Sequence, residues 1–262
     1  MSQPAKVLII DDSAVARQTL KNILSEDPEL EVVGTAPDAL IALKKISELN
    51  PDVLTLDVQM PKMDGLTFLE RLMKSRPMPV VMVSSYTQEG SETAMRSLEL
   101  GAVDIIEKPK FEVREGLNEI AILITDKVKA AAQAKMKTAR QIFMQTSPKQ
   151  STEVVLPKKT TGKRKATGQE PLIAIGASTG GTEVLREILS SLPPTMPGIV
   201  IVQHMPKAFT GSFANSLDRV SELEIKEAED GDRVESGKAL LAPGDAHMIL
   251  KTNGSSYQVK LD

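Results

Sequence analysis

Residues 7–10, 53–56, 80–83 and 103–106 are short apolar runs, and at or just past their carboxyl ends stand Asp11 and Asp12, Asp57, Ser84 and Lys108. Between the runs the apolar spacing switches to helical. Ser13 is placed to cap a helix with Ala16, Leu20, Ile23 and Leu24 on one face, and Asp38 one presenting Ala39, Leu43 and Ile46, with Pro51 helping to stop it. A further strand is expected at 31–36, and a loop through Met60, Pro61, Asp64 and Gly65 leads to a helix with Leu66, Leu69, Leu72 and Met73. Strands alternating with helices mean a parallel sheet, here of five strands and five helices. The carboxyl ends of such strands meet in the crevice where open α/β sheets bind ligands.

Asp11, Asp12 and Asp57 would then converge. Three carboxylates together are tolerable around a hard divalent cation, and Mg²⁺ held by carboxylates and water is the usual solution. The Ser84 hydroxyl and the Lys108 ammonium, with Pro109 next to it, complete the set. Such a site suits phosphoryl transfer onto a carboxylate, with Asp57 as acceptor. Each residue alone would read as a helix cap or strand-end solubiliser. In this order they resemble the response-regulator receiver family over residues 5 to about 125. One departure is Ile105, where many receivers carry an aromatic switch residue.

With 262 residues and 41% hydrophobic content, the chain can bury two modest cores. It has no Cys and only His204 and His247, so disulfides and Cys- or His-built metal sites are excluded. Residues 1–6 do not read as a signal peptide, and no apolar run is long enough for a transmembrane segment, so a cytoplasmic protein is expected. A net charge of −3, two Tyr, five Phe and no Trp argue against nucleic acid as a partner.

Three segments follow: a receiver at 1–125, a helical extension and basic linker at 126–170, and a second domain at 171–262. Ala130, Ala131, Ala132 and Ala134 extend the last helix, and residues 127–165 hold eleven Lys or Arg against one acid, Glu153. Polar composition with Pro148, Pro157 and Gly162 reads as a flexible linker, a docking segment for nucleic acid or an anionic surface being the lesser alternative.

After Pro171 the run Leu172, Ile173, Ala174, Ile175 leads into Gly176-Ala177-Ser178-Thr179-Gly180-Gly181 and a helix with Val184, Leu185, Ile188 and Leu189. The form G-x-S-x-G fits a nucleophile elbow, and equally a phosphate-cradling turn. His204 favours the nucleophile, since it ends the next apolar run and would share a sheet edge with Ser178 as general base. His247, among hairpin-like turns at Gly231-Asp232, Ser236-Gly237 and Pro243-Gly244, reads as structural or a minor substrate contact.

These motifs, with residues 226–234 and 242–248, resemble the chemotaxis methylesterase family CheB across both domains. The resemblance implies a second α/β, Rossmann-like parallel-sheet domain. It implies a monomeric serine hydrolase that removes methyl esters from glutamates of methyl-accepting chemotaxis receptors and deamidates certain glutamines. Ser178 would be nucleophile, His204 general base, and Thr179, Gly180 and Gly181 the oxyanion loop. A chemotaxis histidine kinase would phosphorylate Asp57, and the unphosphorylated receiver would cover the active site. The family's third catalytic residue is an Asp in a later segment, which this chain does not reach before Asp262. Asp218, Asp230, Asp232, Asp245 and Asp262 all lie in stretches with other uses, so a C-terminally incomplete hydrolase domain with an unpaired sheet edge is expected. The rival expectation is a phosphoacceptor module whose second domain only binds. A DNA-binding output is disfavoured because no helix-turn-helix pattern follows the linker.

Overall fold

In the computed structural model, which describes residues 3–84, 88–108, 117–134 and 171–262, the apolar runs become central parallel strands. β1 (Ala5–Ile10), β3 (Val53–Asp57) and β4 (Val80–Ser84) bury consecutive side chains, as strands covered by helices on both faces must. With β2 (Leu30–Ala36) and β5 (Asp104–Glu107) they form a five-stranded sheet in the order β2-β1-β3-β4-β5. The intervening helices are α1 (Ala14–Ser25), α2 (Ala39–Leu49), α3 (Gly65–Ser75), α4 (Gln88–Glu99) and α5 (Leu117–Ala132).

Ser13, Asp38 and Asp64 cap α1, α2 and α3, each accepting a backbone N–H of the first turn. α2 departs from expectation in one respect. Ala42 faces the sheet fully buried while Leu43 is 43% exposed. Both spacings from Ala39 satisfy a helical stripe, and the smaller side chain takes the crowded side. Ile105 is buried on β5. Pro109 and residues 135–170, with the expected linker, lie outside the described residues.

The second unit is a four-stranded parallel sheet, β6 (Leu172–Ala177), β7 (Gly198–Gln203), β10 (Lys238–Leu241) and β8 (Glu224–Glu227), ordered β6-β7-β10-β8. α6 (Gly181–Leu189) and α7 (Lys207–Asp218) are its helices. A three-stranded antiparallel sheet that the sequence reading did not foresee, β11 (Met248–Asn253), β12 (Ser256–Leu261) and β9 (Arg233–Val234), adjoins it. Its hairpin turns at Gly254, φ +65°. By contrast, Gly231-Asp232, Ser236-Gly237 and Pro243-Gly244 all join strands of different sheets and are not hairpin turns.

Along α6 the apolar stripe is half used. Leu185 and Leu189 are buried, whereas Val184 and Ile188 face outward. β6 is an edge strand among the described residues, and Val202 on its neighbour β7 is exposed.

The two units share one apolar cluster. Met95 of α4 lies in it with Phe209, Phe213 and Leu217 of α7. Across the same boundary Arg186 donates to Glu99 at 3.0 Å, while within its own unit it donates to Ser216 at 3.3 Å. Lys127 of α5, 2% exposed, pairs with Asp104 at 2.6 Å and donates to the His204 carbonyl at 3.2 Å.

Candidate functional site

Parallel pairing of β1 with β3 brings the carboxyl ends of both strands together, and with them Asp11, Asp12 and Asp57. Their ligand oxygens lie within 4.8 Å of one another. Asp11 and Asp57 are buried while Asp12 faces out. Lys108 Nζ reaches in from the end of β5, 2.9 Å from Asp57 Oδ2 and 3.0 Å from Asp11 Oδ2. Ser84 is buried at the end of β4, and its carbonyl accepts the Lys108 N–H.

Two residues that the sequence reading did not single out for the site hold its frame. Arg17 donates to the carbonyls of Asp11 and Asp12 at 2.6 and 2.9 Å, fixing the acidic turn. Gly65 donates to the Val58 carbonyl, and a Cβ there would stand 2.1 Å from the Asp57 carbonyl oxygen, so only glycine allows α3 to start so close to Asp57.

Burial pushes the Asp57 carboxyl above its ordinary range, with the Asp11 charge adding to it against the pull of Lys108. For Lys108 burial opposes the charge, but its hydrogen bonds to Asp57 and Asp11 hold its pKa above the ordinary lysine value. One cation thus serves two buried carboxylates. Asp11 Oδ2 is buried and accepts no hydrogen bond, although it lies beside the Lys108 ammonium. A second cation among these oxygens would answer both the excess charge and the orphaned acceptor, and an all-oxygen donor set with an exposed member open to water fits Mg²⁺.

The second set of residues forms around β6 and β7, paired in parallel register with Ala177 opposite Gln203. The His204 N–H donates to the Ala177 carbonyl at 2.9 Å, so Ser178 and His204 leave adjacent strands at the same edge, both exposed. Ser178 starts the turn into α6, closed by a 2.7 Å bond from the Gly181 N–H to the Ser178 carbonyl. Gly180 takes φ +76° as N-cap of α6, a conformation glycine adopts freely, and offers no side-chain cap to α6. Thr179 and Gly180 complete the turn, half-buried beside Ser178.

Among the described residues no hydrogen bond joins Ser178 Oγ to His204, and no carboxylate holds the His204 ring. Three of the five Asp candidates are otherwise engaged. Asp218 accepts the Ile225 N–H, Asp230 pairs with Lys260, and Asp232 pairs with Lys226. His204, His247, Asp245 and Asp262 line one cavity of about 1400 Å³, which reaches the receiver at Lys108 and Ile124. His247 and Asp262 exchange backbone hydrogen bonds. Gly244 anchors the loop between β10 and β11 against the His204 segment, since a Cβ there would meet Lys207 N at 2.3 Å.

Comparison with known proteins gives two family matches: a response regulator receiver domain over residues 7–121 and CheB methylesterase over residues 173–262. A protein-glutamate methylesterase/protein-glutamine glutaminase of Thiobacillus denitrificans is 51% identical over 257 residues, covering 98% of this chain and 70% of the relative. One from Pseudomonas aeruginosa is 49% identical, covering 99% and 70%. Among solved structures, the response regulator domain of Thermotoga maritima CheB is 39% identical over 51% of this chain and all of that one, with a TM-score of 0.46. Its methylesterase catalytic domain is 46% identical over 36% of this chain and 50% of that one, with a TM-score of 0.34. No helix among the described residues is long and apolar enough to cross a membrane.

Proposed function

Because the chain belongs to the CheB methylesterase family, with a receiver domain ahead of the methylesterase domain, we propose that it removes methyl groups from glutamate esters of chemoreceptors under the control of phosphorylation at Asp57. The protein is a receiver-linked methylesterase, and its relatives are named for ester hydrolysis and glutamine deamidation alike. Receptor glutamyl esters are the substrate, a chemotaxis histidine kinase is the phosphodonor, and the reaction runs in the cytoplasm.

In the receiver, Asp57 is the acceptor. Asp11, Asp12 and Asp57 would hold Mg²⁺, which when bound neutralises charge on the transferred phosphoryl group. Lys108 spans Asp57 and Asp11 and steadies the acceptor carboxylate, and Ser84 is the hydroxyl at the neighbouring strand end.

In the second domain Ser178 Oγ attacks the ester carbonyl carbon while His204 takes its proton. The carbonyl oxygen gains negative charge beside the Thr179, Gly180 and Gly181 backbone. The C–O bond to the methoxy group then breaks, with His204 returning the proton to give methanol. Water, deprotonated by the same imidazole, frees the glutamate. The observation that carries this reading is the register of β6 and β7, which sets Ser178 and His204 one residue beyond a directly paired couple.

Methanol release from methylated receptor membranes tests it, with acetyl phosphate and Mg²⁺ added. Release that rises with phosphorylation and vanishes in Ser178→Ala supports the hydrolase. One observation favours a second reading, a phosphoacceptor that binds without turning over: no carboxylate orients His204 among the described residues. That reading expects Asp57 phosphorylation with no methanol above the Ser178→Ala background.

A further inference from the structure

Gln203 is the last residue of β7, 5% exposed, and its amide lies beneath the Ser178 turn. Nε2 donates to the Ser178 carbonyl at 3.0 Å. That carbonyl also accepts the Gly181 N–H at 2.7 Å, so both its lone pairs are engaged from the buried side. The peptide joining Ser178 to Thr179 is planar and trans, and in such a unit C=O and N–H point in opposite directions. Fixing the carbonyl therefore fixes the N–H of Thr179, which is turned away from Gln203 toward the open side of the turn. Among the described residues no hydrogen bond takes up that N–H.

The neighbours of Gln203 are shaped around it. An added Cβ at Gly181 would lie 2.8 Å from Gln203 Oε1 and 2.7 Å from the Ala177 Cβ, so glycine there leaves the room the amide occupies. Gln203 Oε1 is itself buried without a hydrogen-bond partner. An orphaned buried acceptor is destabilising. Reversing the amide would set its oxygen against the Ser178 carbonyl, so the bond fixes the orientation. For packing alone an apolar residue of the same length would serve without that cost, which points to work done by the Nε2 donor.

We infer that Gln203 is a positioning residue for the oxyanion site: it holds the Ser178 carbonyl inward and so aims the Thr179 N–H at the oxygen that becomes charged when Ser178 attacks a carboxyl ester. The inference rests on the hydrolase reading above. When Ser178 Oγ bonds the carbonyl carbon, the C=O π pair moves onto oxygen, and a donor already aimed there needs no reorganisation. Without Gln203 the Ser178–Thr179 peptide is tied by Gly181 alone and can rotate, withdrawing the donor.

The test uses the full chain with acetyl phosphate and Mg²⁺, and a fluorophosphonate probe. Ser178 Oγ displaces fluoride from the probe, and its phosphoryl oxygen requires the same donor. Gln203→Met keeps length and shape without the N–H, and Gln203→Leu is a second apolar variant, each compared by circular dichroism melting. The expected result is a maximal labelling rate about 10- to 100-fold lower, with the half-saturating probe concentration within about twofold of the parent. A merely structural role would instead reduce the fraction of chain that can be labelled, leaving its rate intact, and that result overturns the inference. Equal rates in folded variants and parent overturn it alone. Absence of Ser178 labelling in the parent overturns the hydrolase reading and the inference with it.

Discussion

Replacing Lys127 by Met asks whether the receiver and the methylesterase domain are docked in solution. Lys127 and Asp104 are 2% and 3% exposed in their side chains and 2.6 Å apart. Asp104 Oδ1 also accepts the Ile105 N–H, but Oδ2 is buried without a partner. Removing the ammonium strands a nearly desolvated carboxylate, a change that costs about 3–5 kcal/mol when one member of a buried pair is lost. The His204 carbonyl loses a donor as well, adding about 1 kcal/mol. The single variant should therefore lose about 4–6 kcal/mol in guanidinium unfolding followed by circular dichroism. Lys127→Met combined with Asp104→Leu removes both charges and should recover part of that loss, the His204 carbonyl and the Ile105 N–H staying without these partners. A loss of that size requires His204 and its neighbours to keep water out. A single-variant loss below about 1 kcal/mol, the value of an exposed pair, would refute it and mean that the domains stand apart.

Asp57→Asn should melt higher than the parent at pH 7. An acid whose pKa is raised by folding favours the fold below its unfolded value, 3.8, and loses that contribution as pH rises through the folded value. Melting curves of parent and variant should accordingly converge below pH 3.8, and a variant that melts lower at pH 7 would contradict the charge balance described. Mg²⁺ at a hundredfold excess over its Kd should stabilise the parent by about 2.7 kcal/mol in the same assay, and Asp12→Asn should remove most of that gain. Gly244→Ala should cost about 1–3 kcal/mol and slow Ser178 labelling, because its Cβ displaces Lys207 and the segment carrying His204.

The receiver was legible in the sequence for a physical reason. Strands covered on both faces read as uninterrupted apolar runs, and each run ends in a side chain whose chemistry differs from that of the run. Ser13 and Asp38 announce their helices by capping. Leu43 misled because positions three and four beyond Ala39 both satisfy a helical stripe, and only packing chooses between them. In the second domain the glycine turn and the Ser178–His204 order were readable, while the β11–β12 hairpin was missed although Asn253-Gly254 signals one. Lys127 and Gln203 were beyond reach. A lysine on α5 looks like solvated surface until a second domain covers it, and Gln203 reads as the polar end of a strand until its register sets it under Ser178.

The apolar cluster shared by α4 and α7 has a consequence during synthesis. Chains emerge at about 5–20 residues per second, and domains fold as they appear. The receiver can close its sheet as soon as α5 has left the ribosome, but the face of α4 that carries Met95 waits for Phe209 and Phe213, which follow on the order of ten seconds later. For that interval the newborn receiver exposes an apolar helix face whose proper partner does not yet exist, and it is then that a chaperone has something to hold.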